Sequence, residues 1–484
     1  MLARHTFVYF FSHALPAILT FLGITIYTRM LSPEQYGVYS LVMVMVVFIN
    51  SVLFQWLRLS LLRFYAVYDN DEQRKSFNST IMICFVTIMF ASFIPAFIFK
   101  IINRTDEISW SLILLGVVLS WLQSWLMMNL TMFRSKLSPI NYGILSFLKA
   151  FLTLLFAVFF IYIGFGEVGL IIGLIVGTSL AVLYPTFKFW RGSVSLEKFD
   201  LSLSKQFLSY GIPLTITFAM GIIINSSDRV FISWLIGAEA TGIYSVAYDF
   251  SEYSLLTVMT IVNLAAYPLI VKTYEEKGIE ATNQQLKKNA SLLMLVAIPS
   301  LAGLIILNEN ISSTLFGNEF SQGVAVLIPW IAIAGFLKGF KLYYVDISYQ
   351  ITKNTKLQAI PVFIGAVINV LLNILLIPLY GTVGAAIATV LAYGVAIIIG
   401  VLIGTKIFKL EFPLINFMKI TIASIIMSFI LYKTTYLEGL VSLMLQIILG
   451  ILTYFSILLM LYFSRVRGQI RRILNTKSSK DVSK

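Results

Sequence analysis

The chain has 484 residues, 59% of them hydrophobic and 12% charged, with a formal charge of +13 and a single cysteine, Cys84. Soluble domains carry about 25% charged residues, so a soluble core of this size is excluded, and one cysteine excludes an intrachain disulfide. The basic residues are scattered over many short loops, which excludes the contiguous basic face that nucleic-acid binding needs.

The apolar residues come in runs of about twenty or more, enough to cross a hydrocarbon layer of roughly 30 Å. These runs are apolar on all faces, whereas barrel strands alternate polar and apolar. In chain order the predicted spans are 7–28, 37–57, 78–99, 108–130, 140–163, 167–187, 207–235, 241–270, 289–307, 323–351, 357–379, 382–405, 414–432 and 439–463. The first run is too long for a signal peptide and lacks a small-residue cleavage site, so it reads as the first span. The predicted fold class is therefore all-α: a polytopic membrane protein of fourteen helices. Pro16, Pro213, Pro299 and Pro329 fall inside spans and mark expected kinks.

Lys and Arg in the loops set the orientation. With the N-terminus inside, the outer loops hold only Arg29, Lys100, Arg104 and Lys433. Lys149, Arg229, Lys338, Lys341 and Lys419 lie within spans, and all other basic residues gather inside. One missed span would scramble this asymmetry. Both termini are expected in the cytoplasm of a bacterial inner membrane, with the basic tail 465–484 beside anionic lipid.

The two halves of the chain resemble each other. Leu31-Ser32-Pro33-Glu34-Gln35-Tyr36-Gly37-Val38-Tyr39-Ser40 follows the first span, and Ile236-Gly237-Ala238-Glu239-Ala240-Thr241-Gly242-Ile243-Tyr244-Ser245 follows the seventh. Their Glu, Gly, Tyr and Ser residues align at a constant offset. Gly169, Gly173 and Gly177 likewise match Gly384, Ala388 and Ala392, small residues that let helix backbones approach. Six spans per repeat preserve orientation, so the repeats are parallel, a transporter plan with a central cavity. The expected units are a six-helix lobe in 1–200, a second in 201–410, two added helices in 411–464 and the tail 465–484.

The segment Thr28–Gly37 resembles the opening of Wzx-type polysaccharide flippases. So do Tyr210-Gly211-Ile212-Pro213-Leu214 with Asp228-Arg229, and the passage from Asn369-Val370-Leu371-Leu372-Asn373 through Ile377-Pro378-Leu379-Tyr380-Gly381 to Thr389. These belong to the multidrug, oligosaccharidyl-lipid and polysaccharide exporter superfamily. The resemblance implies two six-helix lobes in a V, as in MATE transporters, opening alternately to either side. It implies a substrate class, an oligosaccharide on undecaprenyl diphosphate. The expected partners are that lipid-linked oligosaccharide, bilayer lipids, and a polysaccharide polymerase and chain-length regulator, but no nucleic acid.

Ionisable residues inside spans cost roughly 2.5–3.5 kcal/mol each on insertion scales. Lys338 and Lys341 sit three apart near mid-span, with Tyr349 close to the same stripe. They read either as cavity cations meeting the diphosphate or as lysines neutralised by acids such as Asp346. As cavity cations, their double alanine variant would abolish translocation and leave folding intact. Arg229 and Asp249 lie at equal depth on adjacent spans and should touch, with Asp228 beside them; Arg229 also counts among the candidate cavity cations, and Asp228 and Asp346 among the candidate ion-coupling acids. Asp249 and Glu252, with Tyr244 and Tyr248, form a strip suited to ion or proton coupling. Lys149 either lines the cavity or pairs across helices. His13 is a polar core residue or a cavity residue. Arg58, Arg63 and Lys419 lie near inner ends, where snorkelling accounts for them, although Arg58 and Arg63 also count among the candidate cavity cations. Asn225, Asn369 and Asn373 read equally as interhelical glue.

No cofactor, metal site or enzyme activity is expected; energy would come from an H⁺ or Na⁺ gradient or the membrane potential. Asp69-Asn70-Asp71 spells a metal-holding triplet but lies in a short loop, and no Walker A or zinc spacing occurs. The alternatives are an organic-cation exporter of the same superfamily, a lipid II-type flippase, and a membrane polysaccharide polymerase.

Overall fold

The computed structural model describes the backbone of residues 2–481 except Ala66, Asp69 and 103–107, and their side chains except those of 2–14, Ile102, Thr217, Thr355 and 463–481. All regular structure among the described residues is helical. The helices are α1 (Leu2–Met30), α2 (Pro33–Phe64), α3 (Asp71–Ile101), α4 (Trp110–Ser135), α5 (Pro139–Phe160), α6 (Gly166–Trp190) and α7 (Leu201–Leu235). There follow α8 (Ala238–Ile306), the short α9 (Asn308–Leu315), α10 (Asn318–Ile351), α11 (Thr355–Gly404), α12 (Leu414–Tyr432) and α13 (Leu440–Asp481).

Nine helical stretches among the described residues are long and apolar enough to cross a membrane, and α7 qualifies as a bent pair. This is a multi-pass membrane protein. Large apolar side chains such as Phe90 and Leu379 are 71% and 72% exposed, as expected where the surrounding medium is lipid. Three long helical stretches are broken where the sequence places loops, at Gly164, Gly278 and Gly381, with φ of 95°, 75° and 62°. The segments after the eighth and fourteenth predicted spans prove more helical than expected. α8 runs on past residue 270 to its break, and α13 continues through the basic tail. α7 bends by 40° between Ile216 and Phe218, one turn after Pro213.

Two hydrophobic cores organise the bundle. One is built from α2–α6 together with Leu203, Phe207 and Ala238. The other is built from α8–α13 together with parts of α1, α2, α5 and α6. In the first, α5 and α6 pack so closely that a Cβ on Gly173 would overlap the Ala157 backbone.

The repeated motif is where the halves meet. Ser32 caps α2: its hydroxyl accepts from the Gln35 N–H at 3.2 Å, and Gln35 Oε1 accepts from the Ser32 N–H at 3.1 Å. With Pro33 at the first turn, this box fixes where α2 begins. α2 and the start of α8 then cross at Gly37 and Gly242. A Cβ on Gly37 would overlap the Ala238 carbonyl, and one on Gly242 the Pro33 carbonyl. Ser245 Oγ donates to Ser40 Oγ at 2.9 Å, linking residues 205 positions apart, the offset of the repeat. Equivalent residues of the two halves thus face each other across a local two-fold axis.

The far end of α2, about 45 Å away at 1.5 Å per residue, also meets the C-terminal half. Ser60 Oγ donates to the Phe207 carbonyl at 3.0 Å, Phe64 packs on Phe207 and Tyr210, and Gly211 lies against Trp56. α2 thus touches the C-terminal half near both of its ends.

Gly37→Ala or Gly242→Ala is expected to destabilise this closed form by about 1–3 kcal/mol through overpacking. Gly221→Ala, where an added Cβ meets nothing within 4 Å, should be neutral or stabilising. Thermal unfolding of detergent-purified variants measures the difference; equal stability of all three would deny the crossing its role.

Candidate functional site

The antiparallel register of α7 and α8 sets the polar centre of the C-terminal half. Asp228 on α7 is fully buried. Its Oδ2 accepts from Tyr244 Oη and from Thr389 Oγ1, both at 2.6 Å, and its Oδ1 accepts from Asn373 Nδ2 at 2.6 Å. Asn369 joins the cluster. Its Nδ2 donates to Thr389 Oγ1 at 3.2 Å, and its Oδ1 accepts from Ser227 Oγ at 2.9 Å and Asn373 Nδ2 at 3.2 Å. The break at Gly381 doubles α11 back, so Asn369, Asn373 and Thr389 reach the same carboxylate. The Asn373 Oδ1 is buried with no hydrogen-bond partner. Asp228 has no basic partner among the described residues.

One residue on, Arg229 points elsewhere. Its Nη2 meets Asp249 Oδ1 at 2.5 Å, the contact expected from equal depth, and its guanidinium lies 5.0 Å from the Tyr248 ring centroid. Tyr248 and Tyr393 both donate to Asn225 Oδ1, at 3.2 and 2.6 Å. Lys338 Nζ sits 2.5 Å from Glu252 Oε1.

The reading of Lys338 and Lys341 as twin cavity cations is corrected here. Lys341 begins a π-helical turn, Lys341–Val345. The wider i→i+5 spacing of such a turn sets its ammonium beside Asp346, five residues on, at 2.8 Å from both carboxylate oxygens. The two side chains are 4% and 1% exposed. Lys341 therefore neutralises Asp346, the alternative reading of the sequence, and Asp346 is not a free coupling acid. Lys338 and Arg229 are likewise committed to acids, as are Glu252 and Asp249 to bases. Removing Lys341 would leave the buried Asp346 carboxylate without its base. Tyr349 is buried away from any cavity, its hydroxyl on the Gly400 carbonyl.

The N-terminal half is different. Lys149 lines a cavity of about 170 Å³ between the halves, shared with Thr20, Tyr39, Gln123, Asp249 and Tyr253. Arg58 lines a second cavity of about 210 Å³ with Asn50, Gln55 and Gln123. Neither cation has an acidic partner among the described residues. Arg63 is exposed near the end of α2. Lys419 donates to the Leu461 carbonyl at 2.9 Å and lies over Tyr462, consistent with an end-of-helix position. The His13 side chain and Asp69 lie outside the described residues.

Sequence reasoning placed the last two spans, at 414–432 and 439–463, but gave them no role. α12 and α13 enclose, with α8 and α9, an apolar cavity of about 680 Å³ that includes Phe21, Phe250, Leu295, Met427 and Tyr454. It abuts the polar cavity. On α1, Thr20 faces the polar side and Phe21 the apolar one; on α8, Asp249 and Phe250 divide in the same way. The Phe21 and Phe250 rings, 4.7 Å apart, form the partition. The signal available in the sequence was the polar–apolar adjacency of these two pairs.

A family described as polysaccharide biosynthesis protein matches residues 2–274, more than half of the chain. The chain belongs to that family. It is similar to the teichuronic acid biosynthesis protein TuaB of Bacillus subtilis, 29% identical over 140 residues, or 29% of this chain and 28% of that protein. It is also similar to the probable low-salt glycan biosynthesis flippase Agl15 of Haloferax volcanii, 23% identical over 302 residues, or 61% and 62% of the two chains. The chain thus spans less than two thirds of the length of these relatives. Its fold resembles that of the lipid II flippase MurJ in an inward closed conformation, with TM-score 0.76, 18% identity and coverage of 96% of this chain and 100% of that one. It also resembles an inward-facing multidrug MATE transporter of the MOP superfamily, with TM-score 0.67, 14% identity and coverage of 82% and 97%. The all-α, MATE-like fold class of this polysaccharide biosynthesis family member is thereby established.

Breaking the Lys341–Asp346 pair from one side is expected to cost about 3–5 kcal/mol, because it leaves a buried charge alone. Lys341→Met should lose that stability, and Lys341→Met with Asp346→Leu should regain most of it. Thermal unfolding reads both; a single variant as stable as the double would deny the pair any structural weight.

Proposed function

We propose that the chain is a flippase that carries a lipid-linked oligosaccharide, on undecaprenyl diphosphate, from the inner to the outer leaflet. The observation that carries this reading is the pair of abutting cavities. A polar one lies between the halves, and an apolar one lies between α8, α12 and α13, with Phe21 and Phe250 between the two. A molecule with a polar head and a long apolar tail needs both at once. A diphosphate and several hydroxyls cannot cross hydrocarbon unshielded. The resemblance to flippases and the family match point the same way.

In this reading each helix broken at Gly164, Gly278 or Gly381 counts as two spans, giving fourteen with both termini in the cytoplasm. The lobes are 1–200 and 201–410, with 411–464 adding the tail-binding helices and 465–484 the basic tail. Contact of α2 with the C-terminal half near both of its ends is one stage of alternating access. The inside-negative potential favours outward movement of the head by roughly 2.3 kcal/mol per charge per 100 mV. The Asp228 cluster supplies the coupling site. Its oxygens, from Asp228, Asn369, Asn373 and Thr389, are the ligand type that hard cations take, and one carboxylate balances one positive charge.

The test is a proteoliposome assay with a fluorescent undecaprenyl-diphosphate oligosaccharide and an impermeant quencher. The wild-type chain should give quenching beyond the outer-leaflet half. Flipping should depend on a Na⁺ or H⁺ gradient, and Asp228→Asn should lower the rate at least tenfold and remove that dependence. No flipping of several glycan heads, together with efflux of an organic cation, would replace this reading with a drug exporter.

A further inference from the structure

Beside the crossing of α2 and α8 the halves meet a second time, where the end of α1 reaches α9 and the start of α10. Arg29 Nη2 donates to the Thr314 carbonyl at 2.7 Å. The last carbonyls of a helix have no partner within it, and a guanidinium at that end also meets the negative end of the helix dipole. Three residues on, Gly317 lies so close to the Thr28 carbonyl that an added Cβ would overlap it. The repeat does not copy this arrangement. At the offset of 205, Arg29, Met30 and Leu31 correspond to Trp234, Leu235 and Ile236. Those three are 68%, 41% and 48% exposed, whereas Leu31 is 5% exposed. The contact is therefore an addition to one flank of a symmetric crossing.

α9 itself is fixed to the C-terminal half. Asn310 Nδ2 donates to Gln446 Oε1 at 2.7 Å and to the Leu437 carbonyl at 3.1 Å, and Asn310 Oδ1 accepts from the Gly439 N–H at 3.1 Å. These bonds tie α9 to the connection between α12 and α13. Asn310 Oδ1 also accepts from Thr314 Oγ1 at 2.9 Å, so the residue whose carbonyl takes Arg29 is held by its own hydroxyl. Asn308 Nδ2 donates to the Ala325 carbonyl at 2.9 Å and ties α9 to α10. Leu307, Ile311 and Leu315, spaced four apart on one helical face, line the apolar cavity. α9 thus has the cavity along one face and Arg29 at its last turn.

We infer that Arg29 is a positioning residue, a latch that holds α1 to α9 while the halves touch at the crossing, and that an apolar chain filling the cavity loosens it through Ile311 and Leu315. The latched carbonyl belongs to Thr314, the neighbour of Leu315, so displacement of that side chain acts directly on the bond. Packed interiors yield little space without moving their walls. A ligand shifts a conformational equilibrium only by its unequal affinity for the two states. A chain that fits the cavity better once α1 has withdrawn supplies that inequality. The latch then keeps the unloaded protein in contact at the crossing and lets the loaded one part.

This inference rests on the flippase reading for the identity of the chain, so its test reads opening and not transport. Ser245→Cys on a Cys84→Ser background places a single thiol at the crossing, where Ser245 is fully buried. The rate at which a charged maleimide modifies it, with the full chain in nanodiscs, reports how often the halves part. Arg29→Gln should raise that rate about tenfold, the scale of one hydrogen bond to a charged group, and Arg29→Lys less than threefold. Gly317→Ala, which presses α10 away from Thr28 and leaves the charge in place, should raise it as well. Undecaprenyl phosphate should raise the rate at least fivefold with Arg29 present and less than twofold in Arg29→Gln. Leu315→Trp, which fills the end of the cavity from within, should raise it without lipid. Unchanged rates in Arg29→Gln and Gly317→Ala, an equal lipid response with and without Arg29, or no response to either undecaprenyl phosphate or Leu315→Trp would overturn the inference. A response to Leu315→Trp with none to undecaprenyl phosphate would instead sink the lipid-carrier reading and leave the latch standing.

Discussion

Everything in this structure is arranged about the crossing of α2 and α8 at Gly37 and Gly242. Backbone meets backbone there, with no side chain between, and Ser40 bonds to Ser245 beside it. Such a contact is close and dry yet carries few polar bonds. Packing of small residues, not hydrophobic exclusion, holds helices together in lipid, and a contact of that kind can part without stranding charge. The crossing brings the halves into contact beside the cavity at Lys149, which Tyr36 and Tyr39 also line. Because equivalent residues face each other, the duplication itself built the closure.

The charges obey a simple division. A carboxylate and a base buried together stabilise only as a pair, and the C-terminal half spends its buried bases in this way. Among the described residues, buried Asp228 is caged by hydroxyl and amide groups and pairs with no base, and Lys149 and Arg58 form no ion pair, Asp249 in the Lys149 cavity being held by Arg229.

Much of this was legible from residue order. Apolar runs marked the long helices, and the repeat of Glu, Gly, Tyr and Ser marked the residues that meet at the crossing. Equal depth from the outer ends brought Arg229 to Asp249. What was not legible depended on contacts between distant segments or on local irregularity. The π turn at Lys341 has no sequence signature, so a lysine that serves Asp346 looked like a partner of Lys338. The pairing of Glu252 with Lys338 joins residues 86 apart. Asn369 and Asn373 read as packing residues because their common partner lies on another helix. The last two spans looked like an appendix because their function, walling an apolar cavity, resides in shape and not in any residue type.

The most direct measurement is a disulfide lock at the crossing. With Cys84→Ser as background, Ser40→Cys and Ser245→Cys would be joined under mild oxidation in proteoliposomes, and movement of a fluorescent lipid-linked oligosaccharide followed by quenching. The account predicts that the oxidised protein stops flipping and that reduction restores the full rate, because the halves must part at this contact. Undiminished flipping by fully oxidised protein would contradict it.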